Sequence, residues 1–121
     1  MHMNGNMRIA AAGALLAAIG IALGAFGAHG LREMLDERAL GWWQTALQYQ
    51  MWNAIGLVAL AATPRRMGLA ASLVGLGVLI FSGRLYVLAL TDARWLGMVA
   101  PIGGASMIAG WLVAAWRLGR G

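Results

Sequence analysis

The 121-residue chain is predicted to be an all-α integral membrane protein, a single-domain antiparallel bundle of four transmembrane helices. Apolar residues make up 61% of the chain and charged residues only 11%, against roughly 45–50% and about 25% in soluble domains. A soluble domain of this size could not bury so much apolar surface. The apolar residues also fall into four blocks, each close to the ~20 residues with which a helix crosses a bilayer.

The four blocks occupy residues 9–27, 42–62, 67–90 and 95–116. They are predicted to be helices, because lipid cannot satisfy the backbone polar groups of an open strand. The first connector, residues 28–41, is charged and predicts a short surface helix. The other two connectors, 63–66 and 91–94, are tight turns, and Pro64 ends the second helix. Connections this short make neighbouring helices antiparallel.

The distribution of arginine predicts the orientation in the membrane. One side of the predicted bundle carries five arginines, and the other carries three together with all four acidic residues. The five are Arg8, Arg65, Arg66, Arg117 and Arg120. Because the arginine-rich side belongs in the cytoplasm, both termini are predicted to be cytoplasmic. The expected location is the plasma membrane, the inner membrane of bacteria, crossed several times.

Several classes of site and partner are excluded by composition. The chain has no cysteine, which excludes disulfides and thiolate metal sites. Met1-His2-Met3 is interpreted as an expression scar, so His2 is set aside. His29 is then the one remaining histidine, too few for a metal site. The nine basic residues are scattered between apolar blocks, which predicts no nucleic-acid partner. No cofactor is expected.

Glycine spacing predicts where the helices approach one another. Gly13, Gly20, Gly24 and Gly27 lie on one stripe of the first helix, and small residues let membrane helices pack closely. Further packing glycines are predicted in the later helices: Gly75, Gly103, Gly104 and Gly110. The first stripe fits either packing within the chain or a homodimer face. Pro101 with the glycine pair after it is expected to bend or loosen the fourth helix.

Polar residues within the membrane are costly and therefore mark candidate sites. Six of them are predicted to form a polar cluster or an anion or lipid contact in the outer half: His29, Gln44, Gln48, Tyr49, Arg84 and Tyr86. His29, Gln48 and Arg84 are expected to line one shared recess. Three roles remain open for Arg84: its guanidinium reaches headgroups or Asp92, binds an anion, or pairs with an acid of the first connector.

Two other sets of side chains are predicted to have structural roles. Gln44, Gln48 and Asn53 are expected to hydrogen-bond between helices. The pair Trp42-Trp43, with Trp52, could form a ligand cage, but the expected role is anchoring against lipid, as interfacial tryptophans do.

An ordered set of short motifs resembles a known family. The motifs are Gly24-Ala25-Phe26-Gly27-Ala28-His29-Gly30-Leu31, Trp43-Gln44-Thr45-Ala46, Tyr49-Gln50, Phe81-Ser82-Gly83, Leu85-Tyr86, Leu88-Ala89-Leu90, Pro101-Ile102-Gly103-Gly104 and Ala109-Gly110-Trp111. Together they resemble the YgdD-like family of small inner-membrane proteins, a domain of unknown function. The resemblance implies four membrane helices and no particular activity. It departs from the family at Asn53, where members often have histidine, and at Arg84, where they have a small residue.

Three hypotheses for function follow. The first is a non-enzymatic structural, accessory or assembly protein, with lipid and other membrane proteins or a second copy as partners. It is favoured because no nucleophile–base pair, carboxylate pair or phosphate-binding loop is present. The second is a small oligomeric transporter or channel, or a lipid- or anion-binding protein, that uses Arg84. The third is a lipid-directed enzyme with His29 and Tyr86 as acid and base.

Overall fold

A computed structural model describes residues 3–120, and His2 lies outside this range. The described residues are all-helical, which confirms the predicted class. The helices are α1 (Met3–His29), α2 (Glu37–Ala61), α3 (Gly68–Thr91) and α4 (Ala100–Gly119), with a 3₁₀ helix (Arg94–Val99) before α4. Three helical stretches are long and apolar enough to cross a membrane, namely Asn6–His29, Gly68–Thr91 and Arg94–Gly119.

The connection between α1 and α2 differs from the prediction. Residues 28–41 form no surface helix of their own, because Asp36 caps α2 and makes Glu37 its first residue. The Asp36 carboxylate accepts from the backbone N–H of Ala39 at 2.8 Å, which satisfies one of the free donors of the first turn. Within the connection, Leu31 is buried with only 1% of its surface exposed.

The fourth helix also begins later than its apolar block suggests. The segment Arg94–Val99 is 3₁₀-helical, and α4 starts at Ala100. Pro101 lies in the first turn of α4, where its missing N–H leaves no hydrogen bond broken. Pro101 is therefore accommodated at the start of the helix, whereas the sequence predicted that it would bend or loosen the helix.

Helix α2 lies between α1 and α3, and α4 packs on the other side of α3. Within residues 3–120, α1 and α4 do not pack against each other. The contact pairs run in opposite order along α1 and α2: Gly13 of α1 meets Ala54, and Gly27 meets Trp43. The main hydrophobic core lies between α2, α3 and α4 and includes Leu57.

Five of the glycines predicted to pack allow close approach between helices. A Cβ added at Gly13 would lie 2.6 Å from the carbonyl oxygen of Ala54 in α2, and one at Gly110 would lie 2.8 Å from that of Ala70 in α3. The other three are Gly20 and Gly27, against α2, and Gly103, against α3. A Cβ at Gly24 would make ordinary contact with Leu47 at 3.7 Å.

The structure differs from the prediction at Gly75 and Gly104, because neither glycine lies against a neighbouring helix. A Cβ added at either position would have no heavy atom within 4 Å. These two positions therefore have room for a larger side chain.

Candidate functional site

A network of hydrogen bonds between helices is centred on Gln50 of α2. Gln50 is buried, with 4% of its surface exposed. Its Nε2 donates to the carbonyl oxygen of Leu16 in α1 at 2.8 Å, and its Oε1 accepts from the hydroxyl of Tyr86 in α3 at 2.7 Å. A carbonyl oxygen has two lone pairs, so Leu16 can accept this bond without losing its helical one. One side chain thus links three helices.

Trp43 makes a second link in the same layer, and this corrects the prediction that it anchors against lipid. It is buried, with 3% of its surface exposed, and its Nε1 donates to the carbonyl oxygen of Leu23 in α1 at 3.0 Å. Its ring packs on that of Tyr86, with centroids 4.8 Å apart in an edge-on arrangement. The indole reaches α1 because Gly27 has no side chain to obstruct it.

Asn53 joins α2 to α4, although these two helices are not adjacent along the chain. Its Oδ1 accepts from Nε1 of Trp111 at 2.7 Å. Its Nδ2 donates to the carbonyl oxygen of Tyr49 at 2.7 Å and lies 3.6 Å from the sulfur of Met107. The Trp111 ring lies over Gly56, where a Cβ would fall 2.6 Å from it. Asn53 therefore hydrogen-bonds between helices, as its position in the sequence suggested.

Two serine hydroxyls make shorter links of the same kind. Ser82 of α3 donates to the carbonyl oxygen of Ala46 in α2 at 2.8 Å. Ser106 of α4 donates to the carbonyl oxygen of Leu73 in α3 at 2.7 Å. Each pair of adjacent helices is thus joined by at least one side-chain hydrogen bond.

The six residues predicted to cluster separate into three groups. Tyr86 belongs to the network. Tyr49 and Arg84 both contact Phe81: the two ring centroids are 4.7 Å apart, and the guanidinium carbon lies 5.0 Å from the Phe81 centroid. The third group is exposed and consists of His29, Gln44 and Gln48.

The recess predicted from His29, Gln48 and Arg84 does not form. Gln48 lies two residues before the buried Gln50, about 200° away around a helix, so it faces outward. Within residues 3–120, no hydrogen bond or ion pair joins any two of the three. The Asp92 carboxylate accepts from Nε of Arg94 at 3.2 Å, and Nε of Arg84 is buried without a hydrogen-bond partner in the described part of the chain.

Sequence reasoning missed Gln50, Trp43 and Trp111 as members of the network. A signal was present, because Trp43, Ala46, Gln50 and Asn53 are spaced by three, four and three residues and share one face of α2. Every one of these four is buried. That face could have been recognised as the interior face of the second helix.

The network contains amides, indoles, a phenol and serine hydroxyls, most of which donate to backbone carbonyls. Tyr86 donates its hydroxyl proton to Gln50, whereas His29 is exposed at the end of α1. Within the described residues, no three His, Cys, Asp or Glu side chains form a group that could hold a metal ion. The arrangement of these side chains is that of hydrogen bonds that hold neighbouring helices together.

Comparison with known proteins gives the family. The profile described as "Protein of unknown function (DUF423)" matches residues 23–104, more than half of the chain. The chain belongs to the DUF423 family. A UPF0382 membrane protein of Staphylococcus haemolyticus is 44% identical over 105 residues, covering 84% of this chain and 86% of that protein. The UPF0382 inner membrane protein YgdD of Escherichia coli K12 is 43% identical over 108 residues, covering 83% and 82%.

The DUF423 relatives confirm the resemblance noted from the motifs. They also show that the chain is a membrane protein of the plasma membrane, in agreement with its three span-length apolar helices. The family has no specific established activity. No solved structure matches the chain.

Proposed function

We propose that the protein is a non-enzymatic structural component of the membrane, with four antiparallel spans and both termini in the cytoplasm. The opposite order of contacts along α1 and α2 supports the antiparallel arrangement. The side-chain amide of Asn6, near the N-terminus, donates to the carbonyl oxygen of Thr63 after α2 at 3.0 Å. The start of α1 and the end of α2 therefore share one side, the arginine-rich side that should be cytoplasmic.

The proposal adds α2 as a membrane span to the three apolar helices, although its amides make α2 less apolar than those three. Gln50 and Asn53 are covered by neighbouring helices and hydrogen-bonded to them. A polar group paired inside a membrane protein avoids most of the cost of entering hydrocarbon unpaired. We infer that the network allows α2 to reside in the bilayer.

The proposed structural role rests on the residues exposed on the outer face of α2. Gln44 and Gln48 are exposed one turn apart, and Trp52 and Ile55 continue this face with 62% and 61% of their surfaces exposed. Gln48 is the seventh of the 21 residues in the apolar block 42–62, so it lies within the outer half of the hydrocarbon in the proposed arrangement. An amide facing lipid there lacks hydrogen-bond partners, which makes a protein neighbour favourable.

The neighbour we propose is a second copy of this chain. A glutamine amide has both a donor and an acceptor, so two identical faces related by a twofold axis can satisfy each other. The protein then functions as a small homodimeric scaffold in the membrane. The glycine stripe of α1 is occupied by α2, so the homodimer face predicted for that stripe is not available.

Cysteine crosslinking tests this role directly, because the chain has no native cysteine. The variant Gln48→Cys should give a disulfide-linked dimer in native membranes. Ile108→Cys is the matched control, since Ile108 is also exposed near the middle of its helix, with 63% of its surface accessible, but lies on α4. Equal dimer yields from the two variants, or none from Gln48→Cys, would contradict the proposal.

The alternative use of Arg84 in anion or lipid binding has one observation in its favour. Its buried Nε has no hydrogen-bond partner within the described residues, and an intramembrane arginine usually faces a partner. The stacking of its guanidinium on Phe81 satisfies part of this need. Native mass spectrometry of an Arg84→Gln variant tests this use, because loss of a bound lipid in that variant would assign the lipid to Arg84.

A further inference from the structure

A groove separates α1 from α3 on the side of the molecule that carries the N-terminus. Helices α1 and α3 flank α2 with little direct contact, and Leu57 of α2 lies in the gap between them. The groove has a volume of about 980 Å³, which is large for a ligand site. Its walls are mainly apolar: Ile9, Ala12, Leu15 and Leu16 from α1, with Ala71 and Leu79 from α3.

One end of this groove is positively charged. Arg8 of α1 and Arg66, just before α3, both line it and are both exposed. Neither arginine forms an ion pair within residues 3–120. The four acidic residues lie in or beside the connections after α1 and α3: Glu33, Asp36, Glu37 and Asp92. The charge of the two arginines is therefore left for a ligand.

The apolar part of the groove extends from the arginines along the membrane-spanning part of α3. From Gly68 to Leu79, both of which line the groove, α3 rises about 16 Å at 1.5 Å per residue. Gly75 lies within this stretch, and the space beside it is open. A ligand that fits must have an anionic head at the membrane surface and a long apolar tail in the hydrocarbon.

We propose that this groove binds an anionic phospholipid of the cytoplasmic leaflet. The phosphate lies between Arg8 and Arg66, because guanidinium groups donate paired hydrogen bonds to phosphate oxygens. One acyl chain lies along the groove past Gly75. Basic pockets between membrane helices on the cytoplasmic side are the usual recognition sites for anionic headgroups. This site is at the opposite end of α3 from Arg84.

Native mass spectrometry of the full chain in mild detergent tests the proposal. The probes are phosphatidylglycerol and phosphatidylcholine with the same acyl chains, added at equal concentration. The wild type should retain phosphatidylglycerol in preference. The double variant Arg8→Gln/Arg66→Gln should lower phosphatidylglycerol retention roughly tenfold or more, and the neighbouring Arg65→Gln, which does not line the groove, should leave it unchanged.

A second pair of variants tests the tail site without changing charge. Gly75→Leu fills the groove at an open position and should abolish the bound lipid while the protein stays folded. Gly104→Leu is the control, since its position is equally open but lies on α4 away from the groove. The thermal unfolding temperature in lipid-free detergent shows whether each variant is folded.

Four results would overturn the proposal. Equal retention of the two lipids would remove the role of the headgroup. Loss of lipid in Arg84→Gln, with retention in Arg8→Gln/Arg66→Gln, would assign the lipid to Arg84. Lipid that persists in a folded Gly75→Leu protein would place it outside the groove. Loss of a dimer, but not of lipid, in Gly75→Leu would assign the groove to a second copy of the chain.

Discussion

At the scale of single residues, Gln50 and Tyr86 hold the interior together through directed hydrogen bonds. The Tyr86 hydroxyl is paired with Gln50 at 2.7 Å, and Gln50 in turn is paired with the backbone of α1. Bonds between helices in a membrane protein contribute about 0.6 kcal/mol on average and up to about 1.7. Their larger effect is on specificity, because a buried amide left without a partner is costly.

Removal of the Tyr86 hydroxyl tests this link. Tyr86→Phe keeps the ring contact with Trp43 but leaves Oε1 of Gln50 without its donor. We expect the free energy of unfolding in detergent to fall by about 1 kcal/mol. The measurement is a denaturant titration followed by circular dichroism.

Tyr49→Phe is the matched control for that substitution. Tyr49 is also half-buried and packs on Phe81, but its hydroxyl makes no hydrogen bond within the described residues. Its replacement should change the free energy of unfolding by less than about 0.5 kcal/mol. Equal losses in the two variants would show that the Gln50 bond contributes nothing specific.

Part of the residue-scale interior could be predicted from the sequence. Asn53 was expected to bond between helices, because an amide deep in a membrane helix needs a partner. Gln44 and Gln48 received the same prediction, yet both are exposed. The sequence shows where polar residues lie along a helix but not how the helix is rotated about its own axis, because packing against neighbouring helices sets that rotation. The buried Gln50 was missed for the same reason.

At the scale of the helices, close approach at glycine determines how α4 packs on α3. Gly110 is buried, and a Cβ there would lie 2.6 Å from Cγ2 of Val74 and 2.8 Å from the backbone of α3. Backbone cannot move aside as a flexible side chain can. The two helices would have to separate, and the contacts beside Met107 would loosen.

Gly110→Ala should therefore destabilise the protein by about 1 to 3 kcal/mol, the usual cost of overpacking. Gly104→Ala on the same helix should be neutral or stabilising by up to about 1 kcal/mol, because its Cβ enters open space and alanine favours helix. Thermal unfolding in one detergent compares the two variants. If both are equally stable, the close contact at Gly110 does not limit packing.

The existence and approximate position of the helices could be predicted, but their ends could not. Hydropathy locates the apolar blocks, whereas the helix ends depend on local hydrogen bonding. The Asp36 cap starts α2 five residues before its apolar block, and the 3₁₀ helix delays α4 to Ala100. Gly75 of α3 was assigned to packing, yet it faces the open groove.

At the scale of the whole molecule, the order of the helices in space could not be deduced from the chain. Short connections make sequence neighbours pack, but they allow α1 either to close against α4 or to remain apart from it. In the structure α1 and α4 remain apart within residues 3–120. The groove between α1 and α3, with Arg8 and Arg66 at its end, is a consequence of this open arrangement.

The central claim at this scale is that α2 crosses the membrane as a fourth span despite its amides. The connection before α2 must then lie on the outer side of the membrane. The connection after α2 must lie on the cytoplasmic side. Met34→Cys and Ala62→Cys are suitable variants, since both positions are exposed and the chain has no other cysteine. The measurement is labelling by a membrane-impermeant maleimide in intact spheroplasts, repeated after permeabilisation.

We predict that Met34→Cys is labelled in intact spheroplasts and that Ala62→Cys is labelled only after the membrane is opened. Labelling of both variants under the same condition would put the two ends of α2 on one side of the membrane. That result would contradict both the fourth span and the placement of the two termini in the cytoplasm.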